Sequence, residues 1–332
     1  MKIYHKHKIG VCLTLMVFLL SACGQKDNKI TSIRLAHGLD IQHPVHKALE
    51  YMNEELMRLS NGQMKLVIYP SGQLGSEREI LELLQIGTMG MTKVSASSLE
   101  AFVPEMKVFS LPYLFNDQAH FWQTLNGSIG HRLLDAGSKY RIKGLGYFDA
   151  GSRSFYTTGH RVTQPKDLQG LKIRVMNSQT AVDMVNTIGA AATPVSWGEL
   201  YTALQQGIVE GAENNPPSFY YSKHYEVSKY YLLDEHTSIP DVIVIGTHMW
   251  DSLNIAQQQT LTTAMNNAVI YQKQLWAEST EMSLQKVAEA GVEIITADKS
   301  TFQQAVQPIY DDLKGGPLES LVNEIKALGD KS

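Results

Sequence analysis

Between residues 255 and 290 the chain contains neither proline nor glycine. Within that stretch Leu261, Met265, Ala268, Val269, Gln272, Leu275 and Trp276 recur at helical spacing, and Gly291 supplies a stop. At a rise of 1.5 Å per residue, such a helix reaches about 50 Å. One small domain has no room for it. The simplest fold that uses a helix of this length has two domains and lets the helix brace both. Chain length agrees, because 332 residues exceed what a single core of ordinary size supports.

The first third of the chain alternates between two periodicities. Residues 32–36, 64–69 and 89–94 read as strands. Residues 45–59, with Ala48, Leu49, Met52, Leu56 and Leu59 in phase, read as a helix stopped by Asn61-Gly62. Ser76 with Glu79 three residues on is a capping box opening a second helix to about residue 86. The order β-α-β-α-β predicts a parallel, doubly wound sheet. Prolines 104 and 112 mark a connector. Helices follow at 117–125 and 128–139, then strands at 142–148 and 155–158 on either side of Gly151-Ser152-Arg153. That junction reads as a crossing between domains. Arg153 there is either a ligand residue at the hinge mouth or half of an interdomain ion pair.

The run from Asp167 to Asn215 carries most of the chemistry. Leu171-Lys172-Ile173-Arg174-Val175 alternates apolar and basic, a strand that feeds a helix capped by Asn177 or Ser178. Ligands of open α/β sheets sit beyond the carboxyl ends of such strands. Arg174 is therefore placed to take an anion, and its planar fork fits a carboxylate with two parallel hydrogen bonds. The competing reading is a solvated arginine on an edge strand. Ser196 and Glu199 open a further helix towards Gly207, residues 208–213 read as a short strand, and Asn214-Asn215-Pro216-Pro217 breaks it.

Taken together, YPSGQLGSEREILE, GSRSFYT, LQGLKIRVMNS and TPVSWGELYTALQQGIVEGAENNPPS resemble the solute-binding subunits of TRAP (tripartite ATP-independent periplasmic) transporters, over essentially all of the chain after residue 30. The resemblance implies two α/β domains around a ligand cleft, closing on a carboxylate-bearing solute that is passed to membrane permease subunits. It implies that Arg174 binds the carboxylate, that Arg153 and Asn214 contact the ligand, and that the Trp197 ring lines the site. The expected division is residues 31–151 with about 239–278 in one domain, and 152–238 with about 279–328 in the other. Members of this family take C4-dicarboxylates, sialic acids, keto acids or hexuronates.

The amino terminus reads as a targeting segment. Lys2, Lys6 and Lys8 precede an apolar stretch at 11–20 that is too short to span a bilayer, and Leu20-Ser21-Ala22-Cys23 matches a bacterial lipobox. Lipidation at Cys23 would anchor an extracytoplasmic protein to the membrane through residues 24–30 as a tether. Cys12 would leave with the leader, so no disulfide is expected. The formal net charge of −4, less the three leader lysines, becomes −7, which argues against a nucleic-acid partner.

Other polar residues have weaker claims. His43, His46 and Glu50 share one helix face, but Pro44 puts His43 outside the helix and tetrahedral closure needs more ligands, so no metal is expected. His37, ending the first strand, is expected to face the crevice. Glu77 is either an acceptor for ligand hydroxyls or a first-turn acid favoured by the helix dipole, and Lys93 has a similar split. With the doubled Asn214-Asn215, these residues favour a polyhydroxylated ligand and hence a hexuronate. A secreted hydrolase and an anchored sensor that presents its ligand to a receptor are the alternative classes, the sensor using the same pocket. The chain has no GxSxG, HExxH, GxxxxGK[ST] or GxGxxG motif, so no enzyme activity and no cofactor are expected.

Overall fold

The computed structural model describes residues 30–330; Cys23 and the leader lie outside them. Alternation in the first strand, β1 (Thr31–Ala36), buries Ile33 and Leu35 while Arg34 and Ser32 face out. Helix α1 (Pro44–Leu59) covers that face with Val45, Ala48, Leu49, Met52 and Leu56. Next come β2 (Met64–Tyr69), α2 (Glu77–Gln85) and β3 (Met91–Ser95), with Ser76 and Glu79 forming the expected capping box. The sheet is completed by β4 (Ile142–Phe148) and, from far along the chain, β10 (Asp241–Gly246); its order is β2-β1-β3-β10-β4. A second sheet contains β5 (Ser154–Thr157), β6 (Lys172–Val175), β7 (Ala191–Pro194), β8 (Gly211–Asn214), β9 (Tyr230–Leu233) and β11 (Glu293–Thr296), ordered β11-β9-β5-β8-β6-β7.

Both sheets are mixed rather than purely parallel. β1 pairs parallel with β2 and β3, but β10 runs antiparallel to β3 and β4. Likewise β6 is parallel to β7 and β8, while β5 is antiparallel to β8 and β9. The two exceptions have one cause. β5 and β10 are the strands that arrive from the opposite lobe. They enter at the cleft edge, where the resident strands end, so their direction is reversed. Their first residues consequently lie at the cleft. The two crossing segments also touch each other: Arg153 and Thr237 form an isolated antiparallel bridge, with the Arg153 N–H donating to Thr237 O at 2.8 Å.

The third crossing is the long helix, α4 (Ile255–Glu289), 35 residues and capped by Asn254 with Gln257; α3 (Gln179–Ile188) is the helix after β6, capped by Ser178. Leu261, Ala264, Met265, Ala268 and Trp276 of α4 join the first lobe's core with Ile33, Leu49, Met52 and Ile243. About three turns beyond, Val287 joins the second lobe's core with Tyr156, Leu200, Phe219 and Tyr231. The approach is close at Gly146 in β4, where a Cβ would stand 2.9 Å from the Met265 methyl and push that side chain aside. At the crossing, Gly151 adopts φ +57° beneath the Trp276 indole. Between them, buried Gln272 clasps the crossing segment: its Oε1 accepts the Asp149 N–H at 2.8 Å and its Nε2 donates to Asp149 O at 2.8 Å.

Two elements depart from the sequence reading. The strand expected at 208–213 begins only at Gly211, because 207–210 form the turn that ends the preceding helix. The C-terminal helix Glu319–Gly329, assigned to the second domain, packs on the first lobe, where Val322 and Ile325 meet Phe121 and Leu125.

Gln272→Met keeps volume and helix propensity but leaves both backbone groups of Asp149 without partners. A destabilisation of about 2–6 kcal/mol is expected, from roughly 1–3 for each orphaned buried group. Denaturant titration checks it, with a lowered midpoint at unchanged slope.

Candidate functional site

Where the carboxyl ends of β1, β3, β6 and β8 meet the first residues of β5 and β10, a cavity of about 330 Å³ opens between the lobes. Of the residues proposed from sequence, Arg174, Arg153, Asn214, Asn215, Trp197, Glu77 and Lys93 line it. His37 does not, which corrects the expectation that it faces the crevice. Its Nδ1 accepts the Leu39 N–H at 3.1 Å and its Nε2 lies 3.0 Å from His46 Nδ1, so the ring points into the lobe behind β1.

Arg174 is 2% exposed at the end of β6, which removes the solvated-edge alternative. Its Nε donates to Val195 O at 2.8 Å, while its Nη1 is buried with no partner. No acid pairs with it among the described residues. Burial pulls its pKa below the ordinary arginine value. Trp197 stands beside it, ring centroid 5.7 Å from the guanidinium carbon, and packs on His224 at 5.1 Å. A dry cation with open donors is a receptor for an anion, since the alternative is an uncompensated buried charge.

Arg153 is different, because its fork is occupied. Nε donates to Glu213 Oε2 at 2.5 Å, Nη2 to Glu213 Oε1 at 2.9 Å and to Glu213 O at 2.7 Å, and Nη1 to Asn214 Oδ1 at 2.8 Å. It is thus half of a buried ion pair as well as a cavity wall. Glu213 also sits 3.5 Å from His236 Nε2, and His236 Nδ1 is 2.8 Å from Asp234. Burial would raise Glu213, but Arg153 and His236 hold it down at about 2. Burial likewise opposes charge on His236, yet Asp234 and Glu213 lift it to about 9. Asn214 uses Oδ1 on Arg153 and on the Asn215 N–H, which turns its amide donor towards the cavity. Asn215 caps the helix Pro216–Tyr221 through the Ser218 N–H.

The first lobe contributes a second charged group. Lys93, 4% exposed, donates to Glu77 Oε1 and Asp241 Oδ1, each at 3.2 Å, and Glu77 also accepts the Ser95 N–H at 3.2 Å. Burial would lower the lysine, but the two carboxylates raise it. Burial raises Asp241 in spite of Lys93. Among the described residues no group of three His, Cys, Asp or Glu is arranged to hold a metal.

Sequence reasoning missed Asp241, His43 and Trp276, all cavity walls. Asp241 carried a readable signal, an acid after Pro240 directly before the apolar run of β10. His43 caps α1 and lies 3.3 Å from Ser218 Oγ across the cleft, while its ring stacks obliquely on Trp276 at 5.9 Å. Only the fold brings those three together.

Four buried histidines shape the stability curve. His37 and His224 are lowered to about 3 and His43 falls well below 6.5, each chiefly by burial. In the unfolded chain they bind protons near pH 6.5, so stability declines as pH falls below that value, by about 1.4 kcal/mol per pH unit for each group. His236 has the opposite sign: its contribution is complete below pH 6.5 and is lost as pH rises towards about 9. Melting temperatures from pH 5 to 9 should peak near pH 6.5, and His236→Gln should flatten the alkaline side only.

Residues 35–315 match the family of bacterial extracellular solute-binding proteins, family 7. A solute-binding protein of Chromohalobacter salexigens is 36% identical over 287 residues, 86% of this chain and 85% of that one. Among solved structures, a TRAP periplasmic solute-binding protein from Xanthobacter autotrophicus with bound β-D-galacturonate superposes at a TM-score of 0.86 with 39% identity, covering 89% of this chain and 99% of that chain. Another from Chromohalobacter salexigens with bound D-glucuronate superposes at 0.86 with 35% identity, covering 89% and 99%. The cleft, the two exchanged strands and the bracing helix are those of a solute-binding subunit, and the chain belongs to family 7, the solute-binding proteins of TRAP transporters.

Proposed function

We propose that this subunit captures a hexuronate, D-glucuronate or D-galacturonate, and delivers it to its membrane permease. One observation carries the reading: Arg174 is a buried cation with open donors and no acid partner, facing a first-lobe wall rich in hydrogen-bond acceptors. The solute's carboxylate sits on Arg174. Glu77 and Asp241 accept hydrogen bonds from its hydroxyls, the Asn214 amide donates to ring or hydroxyl oxygens, and Trp197 and Trp276 give flat apolar faces. Three neighbouring structures with bound galacturonate or glucuronate, at 35–39% identity in two of them, support this choice over a C4-dicarboxylate. The protein acts as a carrier and performs no reaction on the solute.

The motion that accompanies capture is closure about the three crossings. Residues 31–151 with about 239–278 move against 152–238 with the stretch from about 279 through β11, α4 flexing where Gln272 holds Asp149. Hinge closure of this type buries ligand between rigid lobes. The leader and lipobox support an extracytoplasmic lipoprotein held at the membrane through Cys23. Mass spectrometry of protein from membranes should find the mature amino terminus at a modified Cys23; an unmodified Cys23 in a chain starting elsewhere would refute the anchor.

Calorimetry tests the site. Wild type should bind D-glucuronate or D-galacturonate, and Arg174→Ala should lose about 2–5 kcal/mol, or roughly thirty- to several-thousand-fold in affinity. Arg174→Lys should also bind poorly, since a point charge does not reproduce the fork. Tight binding by Arg174→Lys would eliminate the two-pronged contact.

A further inference from the structure

Four cations line the cavity: Arg78, Lys93, Arg153 and Arg174. Three already face acids. Lys93 lies 3.2 Å from both Glu77 and Asp241, Arg153 is paired with Glu213, and Arg78 lies 3.1 Å from Glu82 at the solvent-exposed rim. His43, the cavity's histidine, is kept neutral by burial. Arg174 alone is left without an acid, so the cavity holds one open position for an anion.

The first-lobe wall adds to this. Glu77 and Asp241 share a single ammonium, and the Ser95 N–H is already taken by Glu77. A ligand group placed against these two carboxylates therefore meets acceptors, the wall's other cation, Arg78, standing out at the rim with Glu82. A hydroxyl satisfies them by donating. A carboxylate brings no proton and adds a like charge beside two others whose side chains are only 21% and 11% exposed, where such juxtaposition is disfavoured.

Resting on the reading that Arg174 takes the solute's carboxylate, we infer that the site selects monocarboxylate polyols and excludes solutes with a second carboxylate at the far end, with Glu77 and Asp241 as the discriminating residues. Sugar acids oxidised at both ends are thereby rejected even when their hydroxyls have the right configuration.

A matched series isolates the second charge. D-Galacturonate, L-galactonate and galactarate share hydroxyl configuration counted from one carboxylate, and the last two share an open chain while differing in the oxidation of one terminal carbon. Calorimetry should find galacturonate and galactonate bound, with galactarate weaker than galactonate by on the order of a hundred-fold. In Glu77→Gln and Asp241→Asn, checked for native-like melting, that gap should narrow by about tenfold or more. Equal affinity of wild type for galactonate and galactarate overturns the inference. So does binding of galacturonate with rejection of both open-chain acids alike, which would show that ring shape rather than charge decides. An unchanged gap in both folded variants removes Glu77 and Asp241 as discriminators. Failure of all three acids, with the glucose-series acids failing too, refutes the hexuronate reading itself.

Discussion

A guanidinium buried without an acid is among the costlier things a protein interior can hold. Arg174 is such a group, and much of the surrounding design makes its position tenable. Nε is tied to Val195 O, the strand that carries it lies between β7 and β8, and Trp197 screens one side. Neighbouring charges are paired internally: Arg153 with Glu213, His236 with Asp234, Lys93 with Glu77 and Asp241. Two imbalances remain at the cavity, the open Arg174 fork and the second carboxylate that shares the Lys93 ammonium. A carboxylate entering that cavity supplies the missing partner, so binding energy is drawn from a deficit built into the empty protein.

The topology explains why charged side chains converge there. Every resident strand of each lobe ends at the cleft, and each exchanged strand begins there. Arg153 precedes β5 and Asp241 opens β10, so both are delivered to the site by the crossings rather than by loops. The α4 helix then fixes the lobes' spacing through cores at its two halves and through the Gln272 clasp on Asp149. Affinity and hinge geometry are thus linked through the same few residues.

What the sequence made legible follows from what local pattern encodes. The 35-residue helix, the Ser76 capping box and the strand-to-helix turn after Arg174 are short-range features, and each appears in the structure close to where the pattern put it. Strand direction is not a local property, so the antiparallel entry of β5 and β10 had no signature. The amphipathic stripe of Glu319–Gly329 predicted a packed helix but not its partner, and the partner is the first lobe. His37 ended its strand at the right place, yet its ring orientation was decided by Leu39 and His46. Trp276 looked like one more core position in a long helix until α4 was laid beneath Gly151.

The most direct test of this account is a crystal structure of the protein with bound D-galacturonate. The account predicts the uronate carboxylate on Arg174, with two N–H···O contacts of about 2.7–2.9 Å, and hydroxyl oxygens beside Glu77 and Asp241. A complex in which Arg174 faces hydroxyls or water, while the carboxylate lies on the first-lobe wall, would contradict it.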